Sequence, residues 1–159
     1  GRAAQRFFHE DFGYNSRLTN LQAALGVAQL EHLDAAVARK RAIARRYHEL
    51  LAGIPGLALP AEADWASNVY WVYGILLPEG GPGLDALIAQ LDVAGIETRP
   101  FFTGMHAQPL MRPYLAAGDR FPVSEALGQR GLYLPSYMHL GDADQVRVAE
   151  ALRRALGGA

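Results

Sequence analysis

Downstream of Thr19, apolar residues at Leu21, Leu25, Leu30, Leu33 and Val37 recur at mostly helical spacings, and Thr19 with Gln22 three residues on has the form of a capping box. The pattern predicts a long first helix starting near Thr19. Charged residues dominate from Arg39 to Arg46, Leu50 and Leu51 follow, and Gly53, Pro55 and Gly56 close the pattern, which puts the helix end near Ala52. Such a length suits a helix that spans one domain or bridges two. Residues 68–77, NVYWVYGILL, are rich in β-branched and aromatic side chains and are closed by Pro78 and a GGPG turn, the pattern of a buried strand. Leu84, Leu87, Ile88 and Leu91 then mark a short amphipathic helix ending at Gly95. Residues 96–102, IETRPFF, read as extended up to Pro100, and 102–121 as a loop with one helical turn. LYLPSY (132–137) is a further strand, and Asp142 with Gln145 caps a last helix through Val146, Ala149, Leu152 and Leu156. The order predicts an α/β (α+β-like) lobe without internal repeat.

Half of the 159 residues are hydrophobic, enough for one compact domain with a sizeable core. A formal charge of −1 gives no reason to expect nucleic acid or an anionic membrane as partner. With no cysteine, disulfides, thiolate zinc sites and cysteine nucleophiles are excluded, and the cytoplasm is the default compartment. No apolar run approaches a bilayer-spanning length, and the N-terminus GRAAQRFFHEDF has neither an initiator methionine nor a signal-peptide core, so the chain reads as starting in mid-protein.

Asn15 and Arg17 stand just before the capped helix start. A helix N-terminus already carries partial positive charge and unpaired N–H groups, so an arginine beside it is unfavourable unless an anion is held there. An amide plus a guanidinium at that point can supply donors to a phosphate; an ordinary turn with a surface arginine is the plainer alternative. RPFFTGMHAQP (99–109) puts Arg99, Phe101, Phe102 and His106 in one loop after a strand, a mixture that suits a ring to be stacked and a charge to be paired. The alternative is that both phenylalanines are core and His106 a hydrogen-bonded spacer. His9, His32, His48 and His139 have no metal-ligand spacing, so no metal site is assigned. Walker loops, nucleophile elbows and dinucleotide fingerprints are absent. Lys40, the sole lysine, lies between Arg39 and Arg41 and is expected to be solvated and near its ordinary pKa, a poor Schiff-base candidate.

Together GYNSRLTNLQAALGVAQLEHLD, NVYWVYGILLP, GIETRPFFTGMHAQP and LYLPSY resemble, nearly end to end, the C-terminal part of the DegT/DnrJ-type nucleotide-sugar aminotransferases. YWVY and RPFF..MH..P look most like the branch containing GDP-perosamine synthases. The resemblance implies the small domain of the fold-type-I, aspartate-aminotransferase-like fold. Residues 1–56 would be the motif loop and long interdomain helix, and 57–159 the small domain, with the large cofactor-binding domain absent from this chain. It implies pyridoxal 5′-phosphate as cofactor, a nucleotide-linked keto-deoxy sugar and an amino donor such as glutamate as substrates, and a homodimer with shared active sites. Asn15 and Arg17 would complete the cofactor's phosphate site across the dimer, while Tyr14, Arg99, Phe101 and His106 would face substrate. Ser16 and Leu18 depart from the residues common in relatives without obscuring the motif. Because Lys40 does not match the catalytic position, no catalytic residue is assigned, and the fragment should not transaminate alone. Two rivals stand beside this reading. One is a sugar dehydratase of the same fold, and the other is a non-catalytic module kept for dimerisation or regulation.

Overall fold

The computed structural model describes residues 8–157; the first seven, part of the N-terminus read above for a targeting segment, lie outside the described residues. Among the described residues five α-helices and three strands follow one another: α1 (Asn20–Leu30), α2 (Leu33–Leu51), β1 (Tyr73–Leu76), α3 (Leu84–Val93), β2 (Arg99–Pro100), α4 (Pro122–Arg130), β3 (Gly131–Leu134) and α5 (Asp142–Ala155). Two short 3₁₀ turns, Met105–Ala107 and Pro109–Tyr114, fall between β2 and α4. The sheet is antiparallel in the order β1-β3-β2, with Gly74 opposite Tyr133 and Arg99 also paired with Tyr133.

Alternation along the strands separates two faces. Tyr73, Ile75, Leu132 and Leu134 point into the core, where they meet Ile43, Ala44, Tyr47 and Leu51 of α2, Leu87 and Leu91 of α3, and Val148, Ala149 and Leu152 of α5. The opposite face carries Tyr133 with the Phe101 ring stacked on it, centroids 4.4 Å apart and planes at 19°. Glycines stand under that ring: a Cβ on Gly74 would lie 2.7 Å from the Phe101 Cζ, and one on Gly131 would overlap the ring.

The single long helix expected from 19 to 52 is two. Its capped start is as read: Thr19 Oγ1 accepts from the Gln22 amide at 3.3 Å, and the Thr19 amide donates to Gln22 Oε1 at 2.9 Å. The chain then breaks at Glu31–His32, where the His32 amide reaches back only to the Gln29 carbonyl. Neither glycine nor proline marks the break. Its physical reason is packing, since α1 buries no residue here while α2 delivers four to the core.

The strand read over 68–77 is confined to 73–76. Asn68 Oδ1 accepts from the Tyr70 amide at 2.8 Å, closing an asparagine turn, and Tyr70 has φ +49°. The asparagine side chain outcompetes the ladder for that amide. LYLPSY likewise is strand only to Leu134, because Pro135 has no N–H to continue the pairing. Helix α4 was not anticipated. Pro122 at its first turn was the available sign. At α5 the cap is Gly141 without a side-chain bond, in place of Asp142. Gln145 instead is buried and donates from Nε2 to the Ile43 carbonyl at 2.9 Å, tying α5 to α2.

Candidate active site

A cavity of about 630 Å³ opens where the end of β3 meets the turn before β2 and the first half of α5. Its aromatic lining is Trp71, Phe102, Tyr133 and Tyr137, and its charged groups include Arg99 and Arg147. Thr98 Oγ1, in the wall, is buried without a hydrogen-bond partner among the described residues, a group that a ligand hydroxyl or water would satisfy. Burial raises the Tyr133 hydroxyl above its ordinary pKa, so it stays a neutral donor and acceptor at physiological pH. Arg147 is committed to the Ala94 carbonyl at 2.9 Å.

Of the residues singled out in the sequence, Arg99 lines this cavity, with its guanidinium 3.1 Å from Glu97. Phe101 does not, its ring being stacked on Tyr133 over Gly74 and Gly131. His106 does not line it either. Its ring stacks on Phe121, centroids 4.6 Å apart, and Nε2 lies 3.8 Å from the Glu125 carboxylate. Tyr14, Asn15 and Arg17 are exposed, and neither Asn15 nor Arg17 makes a hydrogen bond or ion pair among the described residues. The segment just before them is docked onto the RPFF loop: the His9 amide donates to the buried Gln108 Oε1 at 2.8 Å, and Phe12 packs edge-on against Tyr114.

Lys40 departs from expectation. It is half-buried, and its ammonium donates to the Ser136 carbonyl and, at 3.2 Å, to Ser136 Oγ. Burial lowers its pKa. The expectation of a solvated lysine near its ordinary pKa is thereby corrected, because α2 packs its ammonium against Ser136. The sequence reading did not pick out Trp71, Tyr133 and Tyr137 as lining residues, because all three sit in runs whose apolar character reads as core strand. Among the described residues no group of His, Asp and Glu could hold a metal ion, and no helix is long and apolar enough to cross a membrane.

Residues 1–153 match the model of the DegT/DnrJ/EryC1/StrS aminotransferase family. The chain belongs to that family. It is similar to two GDP-perosamine synthases: that of Vibrio cholerae, 41% identical over 91% of this chain and 39% of the relative, and that of Caulobacter vibrioides, 38% identical over 96% and 41%. Among solved structures it resembles S. venezuelae DesV, crystallised in complex with a ketimine intermediate, with a TM-score of 0.78 and 32% identity over 96% of this chain and 40% of that one. The lobe therefore has the mixed α/β fold of part of a family aminotransferase, and spans about two-fifths of the length of these relatives.

Proposed function

We propose that this chain is the C-terminal part of a pyridoxal 5′-phosphate-dependent aminotransferase that moves an amino group from glutamate to a keto-deoxy sugar carried on a nucleotide, in the manner of a GDP-perosamine synthase. On this reading residues 1–56 form the motif loop and interdomain helices, and 57–159 the small domain. A large domain outside this chain carries most of the cofactor pocket, in a cytoplasmic homodimer whose subunits share active sites.

The start of α1 carries the reading. The capping box uses the Gln22 amide, which leaves the Asn20 and Leu21 amides without intrahelical acceptors, and Asn15 and Arg17, a few residues earlier in sequence, are unpaired among the described residues. Those donors fit a phosphate, and without an anion the arginine is misplaced against the helix dipole. When bound, the cofactor supplies an aldehyde that takes up the amino group and a ring that withdraws electrons. Toward it, Asn15 and the helix amides bind the phosphate oxygens, and Arg17 adds longer-range attraction. Tyr14 and Arg99 face the substrate, and Arg99 can exchange Glu97 for a substrate phosphate. His106, outside the cavity wall with its ring stacked on Phe121, buttresses the loop that carries Arg99 and Phe102. Phe101 supports Tyr133 from behind. With Lys40 held by Ser136, the amine that binds the cofactor comes from outside this chain.

Cofactor retention and turnover test the reading. The intact enzyme should aminate a GDP-linked 4-keto-6-deoxy sugar with glutamate as donor. Asn15→Ala should weaken cofactor retention by about tenfold to hundredfold, the worth of one charge-assisted hydrogen bond of roughly 1.5–3 kcal/mol. In mixed dimers of an Asn15→Ala chain with a chain lacking the catalytic lysine, activity should appear only where intact Asn15 faces intact lysine across the interface. Undiminished cofactor affinity in the Asn15→Ala homodimer would return this segment to an ordinary helix cap.

A further inference from the structure

Arg39, Lys40 and Arg41 are consecutive on α2, where successive side chains diverge by about 100°, so they cannot share one solvated face. Their contacts divide between two loops. Arg39 donates from Nε to the Met138 carbonyl at 3.2 Å and from Nη2 to the Leu140 carbonyl. Lys40 holds Ser136 through its carbonyl and hydroxyl, and Tyr47, further along the helix, donates to the Pro135 carbonyl at 2.8 Å. Four carbonyls between residues 135 and 140 are thereby gripped by three side chains of one helix. Arg41 turns the other way. It donates to the Asn68 carbonyl at 2.6 Å, to Ser67 Oγ at 3.1 Å and to the Glu62 carboxylate at 2.9 Å, while Glu62 also accepts from the Tyr70 hydroxyl at 3.0 Å. That brace surrounds Tyr70, whose left-handed φ of +49° is unfavourable for a residue with a Cβ and needs such support.

The two held segments present Tyr137 and Trp71, 57% and 71% exposed, and both residues line the 630 Å³ cavity. Side chains so exposed take their positions from the backbone beneath them. Charged donors grip backbone carbonyls more strongly than neutral ones, and on the 135–140 side all but one of the contacts, that to Ser136 Oγ, are to backbone carbonyls.

We propose that the Arg39–Lys40–Arg41 triplet is a positioning device that fixes Tyr137 and Trp71 across the cavity, and through them sets affinity for the nucleotide sugar. The link to affinity rests on the aminotransferase reading above; the grip on the loops does not. Two measurements on the intact holoenzyme separate them, using Lys40→Met and the conservative Lys40→Arg. Loss of the ammonium should speed amide exchange at 136–140 by about tenfold, with β1 and β3 unchanged, because only the local opening becomes easier. In Lys40→Met the KM for the nucleotide sugar should rise about tenfold, with kcat and the KM for glutamate held within about twofold, and Lys40→Arg should recover most of the loss. Unaltered exchange overturns the device. So does faster exchange with an unchanged sugar-nucleotide KM, or a parallel loss of kcat, both KM values and thermal stability, which would mark a merely structural residue. A wild-type enzyme that turns over no nucleotide sugar sinks the functional reading alone, and the exchange data then still sustain or overturn the grip.

Discussion

Phe101 occupies its place on the open face of the sheet because the two residues beneath it have no side chain, and this makes Gly74 and Gly131 a quantitative test of the packing. Neither glycine has a positive φ, so alanine can adopt the backbone at both positions. Restricting the unfolded chain should then favour the variants by about 0.4–1 kcal/mol. Against this stands overpacking. At Gly74 the new methyl would meet the Phe101 Cζ at 2.7 Å, its Cε1 at 2.8 Å and the Tyr133 Cε1 at 3.3 Å, all side-chain atoms. At Gly131 it would overlap the Phe101 ring and also lie 2.5 Å from the Leu127 carbonyl oxygen, a backbone atom at the end of α4 that cannot swing aside. Overpacking of this kind costs about 1–3 kcal/mol, so the steric term wins at both sites. Gly74→Ala should lose about 1–2 kcal/mol net, and Gly131→Ala about 3 kcal/mol or more. Denaturant unfolding of the protein and its variants reads these differences directly. The discriminating arm adds Phe101→Ala, which should relieve nearly all of the Gly74→Ala penalty and only part of the Gly131→Ala penalty. Additive losses for Gly74 and Phe101, or a Gly131→Ala milder than Gly74→Ala, would refute the seat. Because Tyr133 shares the stack and lines the cavity, Gly74→Ala should also alter ligand binding there.

Three further outcomes follow from local geometry. Thr19→Ala removes the capping box at a cost of about 0.5–2 kcal/mol, but α1 buries nothing in this chain, so the loss should show as faster exchange of the amides near 20–24 while the global unfolding midpoint holds. Hydrogen bonds from Arg41 and then Tyr70 hold the Glu62 carboxyl below its ordinary pKa. That stabilisation is present above the unfolded carboxylate pKa of about 4.3 and is lost as pH falls through the lower folded value, so Glu62→Gln should flatten the acid limb of the stability–pH curve. Burial, with neighbouring phenols second, raises the hydroxyls of Tyr47 and Tyr73 well above the usual tyrosine value. Their contribution is complete below the unfolded tyrosine pKa of about 10 and is lost as pH rises toward the folded values, so their tyrosinate absorbance should appear only with alkaline unfolding.

Local chemistry was legible in the sequence wherever the competing terms lay within a few residues of each other. The Thr19–Gln22 box needs only its own turn, the helix over Leu84–Val93 is marked by its apolar spacing and by Gly95, which has φ +70°, and the order of elements was visible from periodicity except for the split of α1 from α2 and for α4. The family was legible because four segments between Gly13 and Tyr137 resemble it as contiguous runs of sequence, and the phosphate site proposed at Asn15 and Arg17 was suggested because helix-start electrostatics are local. Tertiary packing decided the rest. The break at Glu31–His32 exists because α2 is drawn onto the core and α1 is not, a difference that no glycine or proline records. Tyr70 leaves the strand because Asn68, Arg41 and Glu62 together outweigh its β propensity. Phe101 and Phe102 are adjacent, yet one is seated over two glycines and the other lines the cavity, since strand register sets which glycine lies under which ring. The Arg39–Lys40–Arg41 run looked like a solvated surface because most of its partners are backbone carbonyls, which every residue carries, and the rest are loop side chains distant in the chain. Which carbonyls come within reach is determined only when residues 62–70 and 135–140, far apart in the chain, are folded against the same helix.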